Sequence, residues 1–364
     1  MSALTYAALR EAGASAGLYT SPHLVDVRER IVVDDRPVSQ EAFARWTERL
    51  RPAIERSGAS FFEALTAIAL ADFASRGVDV AVVEVGLGGR LDSTNVVQPL
   101  GCAVTNIAVE HTEYLGDTLA AIGREKAGIA KRGAPFVIGE ADPEISALLA
   151  YEAAERGAQP IVTVLPGMEY AGPLALQGPH QRRNAAVAAA LLDALPEAWR
   201  PAPAAVAAGF ARARLAGRFD RRGRWIFDVA HNLAGIQVLL GALRNAQPDR
   251  PLHALVGILT DKAWRDMLAG LSQVVDRIWL TTPPTAPPER RWDLGEVGRA
   301  VGRSGGPDVP GPPGWLTARP PVIEPDFDRA LRDVREGAGT ILVTGSFHTV
   351  GDALARLPGF TPLG

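Results

Sequence analysis

The chain has 364 residues, 41 acidic and 38 basic side chains, a formal net charge of -3 and 47% apolar residues. Such a length suits two domains of ordinary size, the near-neutral balance leaves no electrostatic footprint for nucleic acid, and no apolar run of about eighteen residues offers a membrane span. The single cysteine, Cys102, excludes an internal disulfide and fits a reducing cytoplasm; inside the apolar run Cys102 to Thr105 it reads as a small core residue.

Lysine usage says more than net charge. Only Lys126, Lys131 and Lys262 are lysines, in a chain that otherwise uses arginine. A primary amine can be carboxylated or deprotonated where guanidinium cannot. Chance and codon bias account as well for Lys131.

In chain order, Met1 to Ala12 reads as a helix that starts without a cap and ends at Gly13. Ala16 to Tyr19 is a strand leading into Thr20-Ser21-Pro22-His23-Leu24, which is either a plain turn or a hydroxyl held toward a metal or phosphate. Gln40 to Gly58 is an amphipathic helix with Phe43, Trp46, Leu50 and Ile54 on its core face. Ser60-Phe61-Phe62-Glu63 fits a capping box for a helix running to about Arg76.

The organising stretch is Asp79 to Val97. Val80 to Val85 is an apolar β-branched run, expected as a strand buried on both faces of a parallel sheet, with Glu84 near its end. Gly86, Gly88, Gly89, Arg90 and Asp92 follow at the carboxyl end, where open α/β sheets bind ligands. Three readings stand: a plain glycine turn, a dinucleotide fingerprint that Leu91 spoils, or a cation site on Glu84 with backbone close to a phosphorylated substrate.

The full string EVGLGGRLDSTNVV resembles the folylpolyglutamate synthase and dihydrofolate synthase family, within the ATP-dependent Mur ligases. The resemblance implies an α/β, Mur-ligase-like fold with a P-loop-type mononucleotide-binding domain and a smaller Rossmann-like carboxyl-terminal domain. TSPHL followed by Glu29-Arg30-Ile31, and Arg124-Glu125-Lys126-Ala127-Gly128-Ile129 on a helix around Ile122 to Ala130, are similar to other family motifs. They imply two Mg2+ sites built from Ser21, Glu84, His111 and a carboxylated Lys126, with Glu84, His111 and Lys126 catalytic. His111 lies past the strand Ala103 to Ile107. Pterin and substrate contacts are implied for Phe61, Phe62, Glu63, Leu91, Asp92 and Ser93.

Gly178-Pro179-His180-Gln181-Arg182-Arg183-Asn184 precedes an alanine-rich helix, Ala185 to Leu195. On its own this is a helix start; the resemblance implies Asn184 at the adenine of ATP. Leu215-Ala216-Gly217-Arg218-Phe219 is similar to the family's linker and implies Arg218 at the phosphates. Domains are thus expected at 1–214 and 219–364, hinged at 215–218.

In the second domain Arg224 to Phe227 is a strand ending at Asp228, a carboxylate suited to ribose hydroxyls. His231 and Lys262 resemble groups near the incoming glutamate, as does Ser346 in Gly345-Ser346-Phe347-His348-Thr349-Val350. Leu252 to Leu259, Ile278 to Thr281 and Ile341 to Thr344 are further strands, and Gly302 to Pro321 an exposed loop.

The implied reaction is ATP-dependent ligation of L-glutamate to a folate or dihydropteroate carboxylate through an acyl phosphate, by a monomer whose two domains close on ATP. One family feature is missing. No glycine-rich loop ending in Gly-Lys-Ser occurs in the 364 residues, and alignment on TSPHL puts Met1 directly after its place. The expectation is a start upstream of Met1, so that this form lacks a strand and the phosphate loop, exposes strand edges and binds ATP weakly. Alternatives are a non-catalytic folate or nucleotide binder, another Mur-type amide ligase and a nicotinamide oxidoreductase.

Overall fold

The computed structural model describes residues 1–302 and 320–360; the expected loop Gly302 to Pro321 lies almost wholly outside them. The chain forms two compact units, Met1–His23 with Arg28–Arg214, and Leu24–Val27 with Leu215–Gly364. The short segment Leu24–Val27 thus belongs with the second unit, a membership no sequence pattern marks. Among the described residues no helix is long and apolar enough to cross a membrane.

The first unit runs α1 (Ser2–Glu11), β1 (Ala16–Tyr19), β2 (Ile31–Val33), β3 (Arg36–Pro37), α2 (Gln40–Ser57), α3 (Phe61–Arg76), β4 (Val80–Val83), β5 (Cys102–Val104), α4 (Thr112–Leu115), α5 (Leu119–Ala127), β6 (Phe136–Ile138), α6 (Pro143–Glu155), β7 (Ile161–Thr163), α7 (Pro179–Ala194) and α8 (Pro203–Arg212). Helix α1 starts at Met1 with no side-chain cap, as its sequence suggests. Helix α3 carries the full capping box: Ser60 Oγ accepts from the Glu63 amide and the Glu63 carboxylate accepts from the Ser60 amide. Residues Phe43, Trp46, Leu50 and Ile54 of α2 are half-buried rather than core, because that helix packs chiefly along α3.

Two sheets divide the strands, in the orders β3-β2-β1-β4 and β5-β6-β7. Strands β1 and β4 are parallel, as are β5, β6 and β7. Side-chain alternation covers both faces of the second sheet. Phe136 and Ile138 pack with Ile122 of α5 and Leu149 of α6, while Val137 meets Val187 and Leu191 of α7. Phe136 is fully buried, so Phe136→Ala would cost about 3–5 kcal/mol. Cys102 is buried in this core, as expected.

The expected burial of Val80 to Val85 on both faces is not what the structure has. Ala81 is exposed and its β4 neighbours are half-buried. The reason is an edge that is unpaired among the described residues: there β4 pairs only with β1 and β5 only with β6, and these edges line one cavity of about 740 Å³ together with Met1, Thr5 and Leu191. Thr5 Oγ1 is buried there without a hydrogen-bond partner.

The second unit runs β8 (Asp220–Arg222), β9 (Trp225–Asp228), α9 (Leu233–Ala246), β10 (Leu252–Val256), α10 (Trp264–Ser272), β11 (Arg277–Leu280), α11 (Leu294–Gly302), β12 (Val322–Ile323), α12 (Phe327–Asp333), β13 (Thr340–Thr344) and α13 (Phe347–Arg356). Its sheet has the order β12-β11-β10-β13-β9-β8, parallel except for β8. Ile226, Ala254, Ile278 and Leu342 face α9, α10 and α11; Phe227, Leu255, Trp279 and Val343 face α12 and α13. Helices on both faces make this the expected Rossmann-like layering.

Candidate active site

Strand register builds the first part of the site. Tyr19 of β1 lies opposite Val83 of β4, so the chain leaving β1 runs beside the residue leaving β4. The Glu84 amide donates to Tyr19 O at 2.9 Å, and the Ser21 amide donates to Glu84 Oε2 at 3.2 Å. Ser21 and Glu84 are therefore neighbours at one sheet end.

The glycine loop that follows is shaped by contacts within the protein. A Cβ on Gly86 would lie 2.4 Å from the Phe62 ring, and one on Gly89 2.8 Å from Glu125 O. The Asp92 carboxylate accepts from the amides of Gly86, Leu87 and Thr94, closing the loop on itself. These glycines let backbone approach α3 and α5 closely.

The same loop is fastened to α5. The Arg90 amide donates to Glu125 O at 2.8 Å, and Asn95 Nδ2 donates to Arg90 O and Gly128 O at 3.0 and 3.1 Å. Lys126, next along α5, lines the same cavity as Glu84, Asn106 and Asn184. Burial lowers its amine below the ordinary lysine range, against an opposing pull from Glu110. Lys131 instead donates to Asn95 O at 3.0 Å, a structural use.

The remaining sequence-predicted residues of this unit have these neighbours. His111 is exposed, has a left-handed backbone (φ 53) ahead of α4, and is not among the residues lining the cavity. Phe61 is exposed beneath the Arg30 guanidinium, Phe62 packs on Tyr19 with ring centroids 5.8 Å apart, and Leu91 is exposed. Ser93 Oγ bonds Thr66 Oγ1 at 2.8 Å, and Asn184 Nδ2 donates to Gln181 at 3.3 Å. Glu63 is engaged in its cap.

In the second unit, Asp228 leaves β9 with Oδ2 accepting from the Phe219 amide at 2.8 Å and Oδ1 from the Ala230 amide at 2.9 Å. Burial pushes its carboxyl above the usual carboxylate range, against these bonds and Arg218. The Arg218 guanidinium lies over the Phe347 ring, 5.3 Å from its centroid, and the His231 ring lies 5.5 Å from it. Ser346 caps α13 by accepting from the Thr349 amide, and Lys262 pairs with Asp261 at 3.0 Å.

A family model described as the glutamate ligase domain of Mur ligases matches residues 212–347. The dihydrofolate synthase/folylpolyglutamate synthase of Escherichia coli is 33% identical over 361 residues, covering 94% of this chain and 80% of that one. The chain belongs to the folylpolyglutamate synthase/dihydrofolate synthase family of Mur ligases. The structure of E. coli FolC in complex with DHPP and ADP matches with a TM-score of 0.80 at 30% identity, over 97% of this chain and 85% of that one. A bifunctional folylpolyglutamate synthase/dihydrofolate synthase with Mn, AMPPNP and L-glutamate bound matches with a TM-score of 0.77 at 31% identity, again over 97% and 85%. The chain spans about a third of the length of two haloarchaeal relatives named as probable bifunctional folylpolyglutamate synthase/dihydropteroate synthases, 35% and 37% respectively.

For a member of this folylpolyglutamate synthase family, the test of a magnesium site is its donor set. Glu84 beside Ser21 offers a carboxylate and a hydroxyl, oxygen donors that fit a hard cation, and Lys126 on the same cavity would add oxygen only as a carbamate. His111 does not line that cavity, and among the described residues no group of three or more His, Cys, Asp or Glu is arranged to hold a metal ion. Sequence reasoning passed over Asn95, Glu125 and Phe347, which touch the named residues or their loops, and Arg183, which precedes Asn184 on α7; their only signal was their place inside the quoted motifs.

Proposed function

We propose that this chain joins L-glutamate to the carboxylate of a folate or dihydropteroate, using ATP and two Mg2+ and passing through an acyl phosphate. The reading rests on family membership and above all on one observation: Ser21 meets Glu84 at the tips of β1 and β4, with Lys126 on the same cavity. A carboxylate is a poor electrophile and resists a second anion, so the reaction needs activation and charge neutralisation. Ser21, Glu84 and Lys126, the last as its carbamate, would hold magnesium, which when bound draws off charge from the phosphates.

The protein's own task is placement. Asn184 is suited to the adenine and Asp228 to the ribose. Arg218, held flat on Phe347, offers a fork for phosphate oxygens, and His231 on the same ring is suited to glutamate. Orienting reactants in this way supplies about 7–11 kcal/mol in favourable systems. The buried thiol of Cys102 fits work in a reducing cytoplasm, and we read the acting species as a monomer.

The test supplies ATP, Mg2+ and labelled glutamate with dihydropteroate or tetrahydrofolate. Label is expected in the folate product with one ADP and one phosphate released per bond. Nucleotide bound without phosphate release would replace the reading with that of a non-catalytic binder.

A further inference from the structure

Two charged residues of the first unit have no part in the reaction as described, yet Glu140 binds two backbone groups and Arg183 four. Glu140, just past the tip of β6, is buried, and its Oε2 accepts from the Ile107 amide at 2.5 Å while Oε1 accepts from the Asp142 amide at 2.8 Å. Arg183, on α7, donates through Nη2 to Gly139 O at 2.8 Å and Val164 O at 2.7 Å, and through Nη1 to Met168 O at 3.3 Å and to Leu165 O. Among the described residues neither forms an ion pair. Their charges are spent on backbone, which orders chain more strongly than neutral groups would.

Gly139 brings the two together. Its amide donates to Val104 O at 2.7 Å, and a Cβ there would lie 2.6 Å from both Thr105 O and Val187 Cγ2. Only glycine lets the β6 tip lie between the β5 tip and α7, which sets Glu140 at Ile107 and Arg183 at Gly139 O. Asn106, immediately before Ile107, lines the cavity with Glu84, Lys126 and Asn184. The bound amide of Ile107 therefore anchors the start of the segment leading to His111, and Arg183 anchors the turn of α7 that carries Asn184.

We propose that Glu140 and Arg183 are positioning residues for the ligation, fixing the His111 segment and the Asn184 turn to a single strand tip. This rests on the proposed function. Through Ile107, Glu140 holds Asn106 against the cavity that carries Glu84 and Lys126, and Arg183 holds the turn of Asn184, so their loss separates two kinetic signatures.

The test uses the full chain, with Glu140→Gln, Glu140→Asp and Arg183→Lys. Glu140→Gln replaces one accepting oxygen by an amide nitrogen, and Glu140→Asp keeps the charge but withdraws it. For Glu140→Gln, Mn2+ affinity in the presence of ADP, read by water-proton relaxation, is expected to fall about tenfold and kcat similarly. Backbone hydrogen exchange over residues 105–115 is expected to quicken, with α3 unchanged. Glu140→Asp is expected to fall between the two, and it carries the test if the Gln variant does not fold. Arg183→Lys is expected to raise KM for ATP about fivefold with Mn2+ affinity unchanged, since a point charge cannot span the same carbonyls.

A purely structural role would lower melting temperature while leaving Mn2+ affinity, KM and exchange near the cavity as in the parent. That pattern, within about twofold in the folded Glu140 variants, overturns the inference. A parent chain that neither binds Mn2+ nor incorporates glutamate overturns the proposed function instead.

Discussion

Arg90 and Glu125 meet as a forked ion pair, with Arg90 Nε and Nη2 donating to the same carboxylate oxygen at 3.1 and 2.9 Å. One residue belongs to the glycine loop after β4 and the other precedes Lys126 on α5, so the pair fixes Lys126 relative to Glu84. Arg90 is 51% exposed, and an exposed pair contributes about 0–1 kcal/mol to stability. Arg90→Leu is therefore expected to move the melting temperature little yet lower kcat about tenfold, through misplacement of Lys126. Steady-state kinetics on Arg90→Leu, Glu125→Gln and the double variant check this. Additive losses would mean that the pair does not act as a unit.

Lys126 itself is the sharper test of the metal end. Lys126→Arg keeps a cation on a stem of similar length but cannot form a carbamate. Loss of about 100-fold or more in kcat is expected for both Arg and Ala variants. In the parent chain, labelled bicarbonate should give a carbamate carbon signal that is missing from both variants. An Arg variant with parental kcat would exclude the carbamate.

What the sequence made legible was the set of strand tips. Glu84, Asp228 and Ser346 stand at the ends of strands because apolar β-branched runs followed by polar residues leave few other places for them. The capping box at Ser60 and Glu63 was equally plain, because both partners lie within one helical turn. The two-sheet division of the first unit was not legible. Periodicity marks Val80 to Val83 as a strand but says nothing of whether its second edge is paired. The work done by Asp92 and the loop glycines also escaped, since the partners that crowd Gly86 and Gly89, Phe62 and Glu125, are remote in the chain.

The free edges of β4 and β5 carry a stability prediction. The cavity between them, about 740 Å³, is bordered by backbone and by a Thr5 hydroxyl that have no partner among the described residues. Fusing an apolar strand of about five residues and a short glycine-containing loop ahead of Met1 is expected to raise the melting temperature, since each buried aliphatic side chain contributes about 1.5–3 kcal/mol. Amide exchange in β4 and β5 should slow in the fused chain. An unchanged melting temperature and unchanged exchange would show that the cavity does not accept a strand.

Tyr6 sets an alkaline limit on the first unit. Burial pushes its phenol up to about 12, and its oxygen accepts from the Asp35 amide at 2.7 Å. The folded-state value is raised above the unfolded one, so the stability linked to this group is fully present below pH 10 and is lost as pH rises through about 12. The linked term is on the order of 2–3 kcal/mol. Melting curves of the parent chain should fall steeply across that window, and those of Tyr6→Phe less so, though from a start about 1 kcal/mol lower because the Asp35 amide loses its acceptor. Equal slopes for the two chains would assign the alkaline loss to other groups.

Phe347 is the ring shared by Arg218 and His231, the residues proposed for the phosphates and for glutamate. Arg218 lies against its ring at 5.3 Å and His231 at 5.5 Å, the latter also bonded through Nδ1 to Val229 O at 3.1 Å. A cation held over an aromatic face gains about 0.5–1 kcal/mol where exposed and more where desolvated, and the same ring orients the imidazole. Phe347→Ala should therefore raise KM for ATP and for glutamate together, by about three- to tenfold each, whereas Phe347→Tyr keeps the ring face and should change neither by more than about twofold. A rise confined to one substrate in the alanine variant would mean that Arg218 and His231 are positioned separately, and that the ring supports only one of them.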